Sequence, residues 1–396
     1  MLMNVTLSSD QYNALNELEY WYRKGSHQFI DVSGPIYAGL WDVLQVFLEY
    51  VGLDPREVMY LSYDQRTVLD LAYNRYHGYY IYGKLYKYDR NVDLDSIPVI
   101  NPHSTHLSYT WTKRIRQKID KRYRLIVVLD ASLLNERMLW DLSKYGLPVV
   151  LLRDPYLLPD SDSYIYAREP NVFLEEPSER MARNPVHTLA YSVMHDKRLT
   201  VGSFQSANVI RRKDLHMYNL KSSSMNLVYT QEMRNIINDA YRSTMKRNPI
   251  YTYTNERVYV ADSHYQEILV NTIEKKVKVY LQKGMTGTLT KVNRHAAITR
   301  YVPCEFQPDY YHEPFTELVL DRDYLLHRET KSRQLIPDDV VKFEYAYALT
   351  PQLARMNHWD DVTIIMEQVQ EFDEKLAKLM SYTAITRAVR SVTVVL

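Results

Sequence analysis

The chain has 396 residues, with 49 Lys and Arg against 48 Asp and Glu, 10 Gly, 36 Tyr and one cysteine. The length allows two or three domains with buried cores, and an apolar share of 46% beside 24% charged residues excludes wholesale disorder. The lone Cys304 excludes an internal disulfide framework and a cysteine-cluster metal site.

A net charge of +1 names no partner, so any nucleic-acid affinity must come from local patches. No apolar run approaches the roughly 18 residues of a membrane span, and no leader pattern is present, so a cytoplasmic protein is expected. Glycine, 10 in 396 against a usual ~7%, is scarce. Nucleotide-binding loops need glycine where backbone approaches phosphate, so the scarcity bears on function.

The predicted elements alternate. Residues 6–24 carry Leu7, Tyr12, Leu15 and Leu18 at helical spacing, with Ser8 or Ser9 as cap. QFIDVSG (28–34) reads as a buried strand, DVLQVFLEYVGL (42–53) as a helix and VMYLSY (58–63) as a second strand. Strand, turn, helix, strand is the grammar of a parallel sheet. RLIVVLDAS (124–132) is the clearest buried strand, followed by a helix near 135–145 and the strand LPVVLLRD (147–154). The pattern restarts after about residue 205. IYTYTNERVYVADSHYQEIL (250–269) reads as strand then helix, and 281–345 as a small antiparallel unit. WDDVTIIM is a strand, EQVQEFDEKLAKLMSYTAITRAV a helix and SVTVVL the closing strand.

The sharpest string is Tyr382-Thr383-Ala384-Ile385-Thr386-Arg387-Ala388 before an apolar strand. It resembles the last motif of superfamily 1 DNA helicases of the RecD, Dda and Pif-like branch, in which the arginine reaches the γ-phosphate. Further matches follow in order. LSSDQYNAL (7–15) resembles the adenine-reading segment, with Gln11 in place. GPIYAGLW (34–41) sits where the phosphate loop belongs, with Gly34 and Gly39 kept. LDAS (129–132) sits at the metal-binding strand, and DPYLLP (154–159) resembles the third motif. PNVFLEEPSERMARNPVHTLA (170–190) resembles the segment after it, with Arg180 at its arginine. KGMTGTLTKV (283–292) resembles the opening of an inserted small β-barrel. Tyr345 to Thr350 followed by Trp359-Asp360-Asp361-Val362 resembles the fifth motif.

The resemblance implies an α/β fold with two RecA-like, P-loop NTPase-type lobes built on parallel sheets, plus a small antiparallel β-barrel insertion. The first lobe is expected at 1–205, with a small insertion near 75–122. The second is expected at 206–280 and 343–396, and the barrel at 281–342.

The family's chemical groups are missing at these positions. A phosphate loop needs Lys on the β/γ-phosphates and a hydroxyl on Mg²⁺, where this chain has Leu40 and Trp41; Tyr37 replaces a glycine. Leu129 and Asp130 stand where Asp and Glu are needed, and Leu157 where Gln senses the γ-phosphate. Arg153 replaces the third motif's Gly, and Gln352 to Met356 replace His-Lys-Ser-Gln-Gly. Apolar replacements fill a vacated cleft with packed side chains, worth roughly 1.5–3 kcal/mol each when buried. A pseudo-ATPase is therefore expected, with ATP and Mg²⁺ binding lost and no cofactor; Gln11 and Arg387 become structural.

Nucleic-acid binding remains open to such lobes. Residues 110–124 hold Lys113, Arg114, Arg116, Lys118, Lys121 and Arg122 with Arg124 against one acid, Asp120. Residues 75–90 interleave tyrosines, Tyr80 and Tyr82 among them, with Lys84 and Lys87. Cations supply the phosphate term and ring faces stack bases; Thr350 of the fifth motif adds a hydroxyl. The plain alternatives are a solvated basic face and tyrosines packed on the core. His103 and His106 lack metal spacing and read as a loop. Three functions stand. One is an inactive helicase-like protein binding single-stranded or forked DNA as a replication or recombination accessory. The family's abundance in bacteriophages makes a phage protein in the host cytoplasm a natural guess. The second is a protein-docking scaffold or inhibitor without nucleic acid. The third is an active DNA-dependent ATPase with a noncanonical site.

Overall fold

The computed structural model describes residues 6–88, 111–115, 119–159, 169–215, 225–261, 266–293, 299–326, 340–367 and 373–396. The described residues of Met1–Ile81, Arg116–Tyr229 and Thr350–Leu396 form one compact unit, and those of Tyr82–Ile115 and Thr230–Leu349 a second.

The first unit is α/β and contains two sheets. One sheet runs in the order Gly78–Tyr80, Val58–Ser62, Leu125–Val128, Val149–Arg153, Phe29–Ser33, Val172–Phe173, every neighbour parallel. Val58–Ser62, Leu125–Val128 and Val149–Arg153 are buried at every residue, the pattern of parallel strands covered on both faces. This explains their unbroken apolar sequences. Helix Ser9–Lys24 starts at a capping box in which Ser8 and Gln11 satisfy each other's backbone N–H, and stops at Gly25 in the left-handed conformation. Its Ala14, Leu15 and Leu18 join Leu44, Phe47 and Leu48 of helix Leu40–Tyr50 in one core against Val32, Val127 and Val150.

In the other sheet, Met225–Val228, Trp359–Ile365, Ala388–Val395 and Ala207–Ile210 are parallel, and Gly202–Phe204 adds antiparallel at the edge. Helices Pro185–Met194 and Glu374–Ile385 belong to this unit. The two parallel sheets carry the expected α/β class.

The second unit is built on a six-stranded sheet in the order Val340–Val341, Phe315–Asp321, Tyr301–Pro308, Thr286–Val292, Arg257–Val260, Phe343–Tyr345. All neighbours are antiparallel except Phe315–Asp321 with Val340–Val341. Its two end strands are neighbouring stretches of one segment, 340–345, which pairs with Phe315–Asp321 on one side and with Arg257–Val260 on the other. The sheet reaches beyond 281–342. Arg257–Val260 and Phe343–Tyr345, expected in the second parallel lobe, pair here through ladders such as Val258 with Gly287 and Val260 with Phe343. The expected helix after 260 is instead the strand Glu267–Asn271, paired with Lys276–Tyr280. A short two-stranded ribbon, Tyr86–Tyr88 with Trp111–Ile115, also belongs to this unit. Among the described residues no helix is long and apolar enough to cross a membrane.

Candidate nucleotide site

In an open parallel sheet, ligands gather at the carboxyl ends of the strands. Four strands of the first sheet end together here. Gly34 follows Phe29–Ser33, Asp64 follows Val58–Ser62, Asp130 follows Leu125–Val128 and Asp154 follows Val149–Arg153. The segment expected at the phosphate loop closes as a 3-10 turn, Ile36–Ala38, and enters helix Leu40–Tyr50 through Gly39 at φ 73°. Only glycine holds that conformation without strain. A Cβ at Gly39 would also lie 2.7 Å from Gln11 Nε2 and 2.9 Å from Ser178 Oγ.

The loop's polar groups are taken by the chain itself. The Ile36 N–H donates to Asp154 Oδ2 at 3.1 Å and to the Tyr382 hydroxyl at 2.8 Å. Tyr382 in turn donates to Asp154 Oδ2 at 2.5 Å, and the Tyr156 N–H donates to Asp154 Oδ1 at 2.9 Å. A carboxylate thus sits on the backbone amide that would face an anion at a helix N-terminus. Gln11 is equally engaged: its Nε2 donates to Ala38 O at 2.8 Å, and its Oε1 accepts from Ser8 N–H. Tyr37 is 1% exposed, with its ring edge-on to Tyr191 and Tyr382 at centroid distances of 5.2 and 6.5 Å. Its hydroxyl is buried without a hydrogen-bond partner among the described residues. Burial drives the Tyr37 phenol well above its ordinary value, with Tyr156 and Asp154 adding to the effect. Leu40 and Trp41 pack onto the core below, and the Trp41 ring meets Tyr60 and Tyr76 at 5.8 and 5.7 Å.

Beside this loop lies a buried charged group. Ser62 Oγ donates to Asp130 Oδ2 at 2.5 Å and accepts from the Asp64 N–H at 3.0 Å. Asp64 caps helix Gln65–Tyr73 through the N–H groups of Arg66 and Thr67, and His358 Nδ1 stands 3.4 Å from its Oδ2. Arg66 reaches His358 O and Asp360. Burial raises Asp130, and lifts Asp154 to about 6 despite the bonds from Tyr382 and Tyr156. Burial works the same way on Asp64, but bonds from His358, Thr67 and Arg66 outweigh it and its value is lowered. His358 is lowered by burial and by the Arg387 charge.

Arg387, 3% exposed, donates to Thr383 O at 3.2 Å, to Thr386 Oγ1 at 3.1 Å and to Arg355 O. Its guanidinium is spent on the backbone of its own and a neighbouring turn, and burial lowers its pKa. The cavity lined by Asp64, Leu129, Asp130, Asp154, Leu157 and His358 measures about 50 Å³. Small-molecule sites run to ~300–1,000 Å³, so this one accommodates water rather than a nucleotide. Among the described residues no group of three or more His, Cys, Asp or Glu is placed to hold a metal ion.

The structure therefore brings Gln11, Gly34, Tyr37, Gly39, Leu129, Asp130, Leu157 and Arg387 to one region, with Leu40 and Trp41 partly buried against the core. Arg180 lies in the short helix Glu179–Ala182; its side chain lies outside the described residues. Sequence reasoning missed Asp64, Asp154, His358 and Tyr382 as participants. Asp154 and Tyr382 open two of the quoted strings. Asp64 was findable as a cap before an apolar helical run, whereas His358 carried no signal.

The nucleic-acid candidates fall on different elements. Lys113 and Arg114 lie on Trp111–Ile115, with side chains outside the described residues, as are Arg116, Lys118, His103 and His106 altogether. Lys121 and Arg122 are exposed, and Arg122 pairs with Asp120 at 2.9 Å. Tyr80 and Thr350 are buried and offer no open face for a base; Tyr82 and Lys84 are half-buried on Ile81–Leu85.

No protein-family model and no curated protein matches this chain. Solved structures do. One is of two coordinating Pif1 helicases at forked double-stranded DNA (11% identity, TM-score 0.49, 98% of this chain and 92% of that one). Another is Bacteroides Pif1 with ADP-AlF3 and single-stranded DNA (12%, 0.46, 99% and 92%). A third is Pif1 helicase from Candida albicans (12%, 0.43, 99% and 94%). The likeness is one of fold.

Proposed function

We propose that this chain is a helicase-like protein that no longer binds ATP and Mg²⁺ and that binds DNA, single-stranded or forked, as an accessory in replication or recombination. One observation carries the loss of nucleotide chemistry: the Ile36 N–H, on the loop where a phosphate would lie, is held by Asp154 and Tyr382. A triphosphate would have to displace a buried carboxylate and a buried phenol. It would find neither the lysine nor the hydroxyl that stabilises charge in phosphoryl transfer. Leu40 and Trp41, which stand in those places, pack on the core.

DNA binding rests on the motif order and on the basic stretch from Lys113 to Arg124. It is tested by fluorescence anisotropy with a labelled single-stranded oligonucleotide at about 50 and 200 mM salt. We expect saturable binding that weakens steeply with salt, and a flatter salt slope on charge reversal of Arg114, Arg116 and Lys121. No binding at the lower salt would remove the DNA role and leave the docking-scaffold alternative. Phosphate release measured with and without DNA should stay at the no-enzyme background.

A further inference from the structure

We propose that the groove between helix Pro185–Met194 and the hairpin of Gly202–Phe204 with Ala207–Ile210 binds an extended acidic peptide of a partner protein, with a bulky apolar side chain seated in it. The groove has a volume of about 470 Å³, and its floor is Pro185, Leu189, Leu199, Ala207 and Val209. The pattern of the chain builds it. Pro185, Thr188, Leu189 and Ser192 fall three or four apart on one helix face, and Ala207 and Val209 share one strand face. Phe204 lies opposite Ala207 in the ladder. Its ring folds back over Gly202, where a Cβ would come within 3.1 Å of it. The ring is still 49% exposed, and neighbouring Val201 is 50% exposed.

Two further features select the occupant. Gly202–Phe204 ends the sheet order, so among the described residues its outer backbone groups face no strand and are open to an added one. Two arginines, Arg183 and Arg198, line the groove, and further cations lie on the adjoining segments. Arg198 has no partner among the described residues. Exposed Lys197 lies over the Tyr191 ring at 4.6 Å, and Arg211 and Arg212 follow the strand end, both exposed. Of the acids on these elements, Glu179 is engaged by Arg183 at 2.6 Å and Asp196 by Lys378, while exposed Asp214 follows Arg212. Positive charge around an aliphatic floor complements acidic residues flanking one apolar side chain. A nucleotide would match the charge but would bury its hydrated sugar and base edge against aliphatic carbon.

The test uses the full chain and a fluorescein-labelled peptide, EDEFEFDD, in an anisotropy titration. We expect saturable binding, weakened about tenfold by Arg198→Glu, the size of one lost charge contact of about 1.4 kcal/mol. Phe204→Ala and the rim variant Thr200→Glu should also weaken it, with thermal melts of Arg198→Glu and Thr200→Glu unchanged. A peptide with both Phe replaced by Ala should lose binding. The proposal is overturned if the peptide does not saturate, if Arg198→Glu and Thr200→Glu bind it as the parent does, or if the Ala peptide binds equally. It is also overturned if a labelled single-stranded oligonucleotide, and not the peptide, binds in an Arg198-dependent way.

Discussion

At the residue scale the site is defined by side chains that answer one another. Asp154 is the centre, accepting from Ile36, Tyr156 and Tyr382. Its carboxyl is raised from 3.8 to about 6 by burial, so the folded state favours the protonated form. A group raised in the folded state contributes stability that is present below its unfolded pKa and lost as pH rises through the folded value. Between about pH 4 and 7 the parent protein should therefore lose stability relative to Asp154→Asn, by at most about 3 kcal/mol. Urea denaturation of both proteins across that range checks this; parallel pH curves would contradict it. Tyr37 gives a second prediction. Among the described residues its buried hydroxyl has no partner, so Tyr37→Phe should be neutral or stabilising by about 1 kcal/mol, while Tyr37→Ala should cost about 3–5 kcal/mol by opening a cavity. Cys304 lies buried in the antiparallel sheet, its thiol pushed up to about 12 by burial. It should resist iodoacetamide at pH 8 until urea unfolds the protein, as mass spectrometry would register.

At the element scale, the turn Ile36–Gly39 decides what the sheet end can hold. Gly39 cannot carry a side chain, both for its φ of 73° and for the closeness of Gln11 and Ser178. Gly39→Ala should cost about 1–3 kcal/mol in denaturant unfolding, and an unchanged midpoint would contradict that strain. The same scale explains what could be read in advance. Val58–Ser62, Leu125–Val128 and Val149–Arg153 announce themselves because full burial demands unbroken apolar residues. Helix Ser9–Lys24 announces itself through Ser8 and Gln11. Glu267–Asn271 did not, because its exposed Leu269 and the charged residues of its edge hairpin mimic a helical surface. The substitutions at Tyr37, Leu40 and Trp41 were visible in the string 34–41. The occupation of its backbone by Asp154 and Tyr382 was not, since those residues lie 118 and 346 positions from Ile36.

At the scale of the whole molecule, an α/β unit with two parallel sheets keeps its strand ends together but closes them with its own carboxylate, phenols and indole. Restoring two residues should not reopen such a site. Leu40→Lys with Trp41→Thr removes core packing, leaves Tyr37 and Asp154 in place, and should lower thermal stability without creating nucleotide affinity. On the proposed reading, Asp154 and Tyr382 hold the Ile36 amide that a phosphate would need. This is tested by titrating the protein with a fluorescent ATP analogue and Mg²⁺ to about 1 mM, the upper end of ordinary KM values. We predict no saturable signal, with or without single-stranded DNA. Saturable binding that competes with unlabelled ATP, and that Asp154→Asn or Tyr37→Ala alters, would contradict the claim.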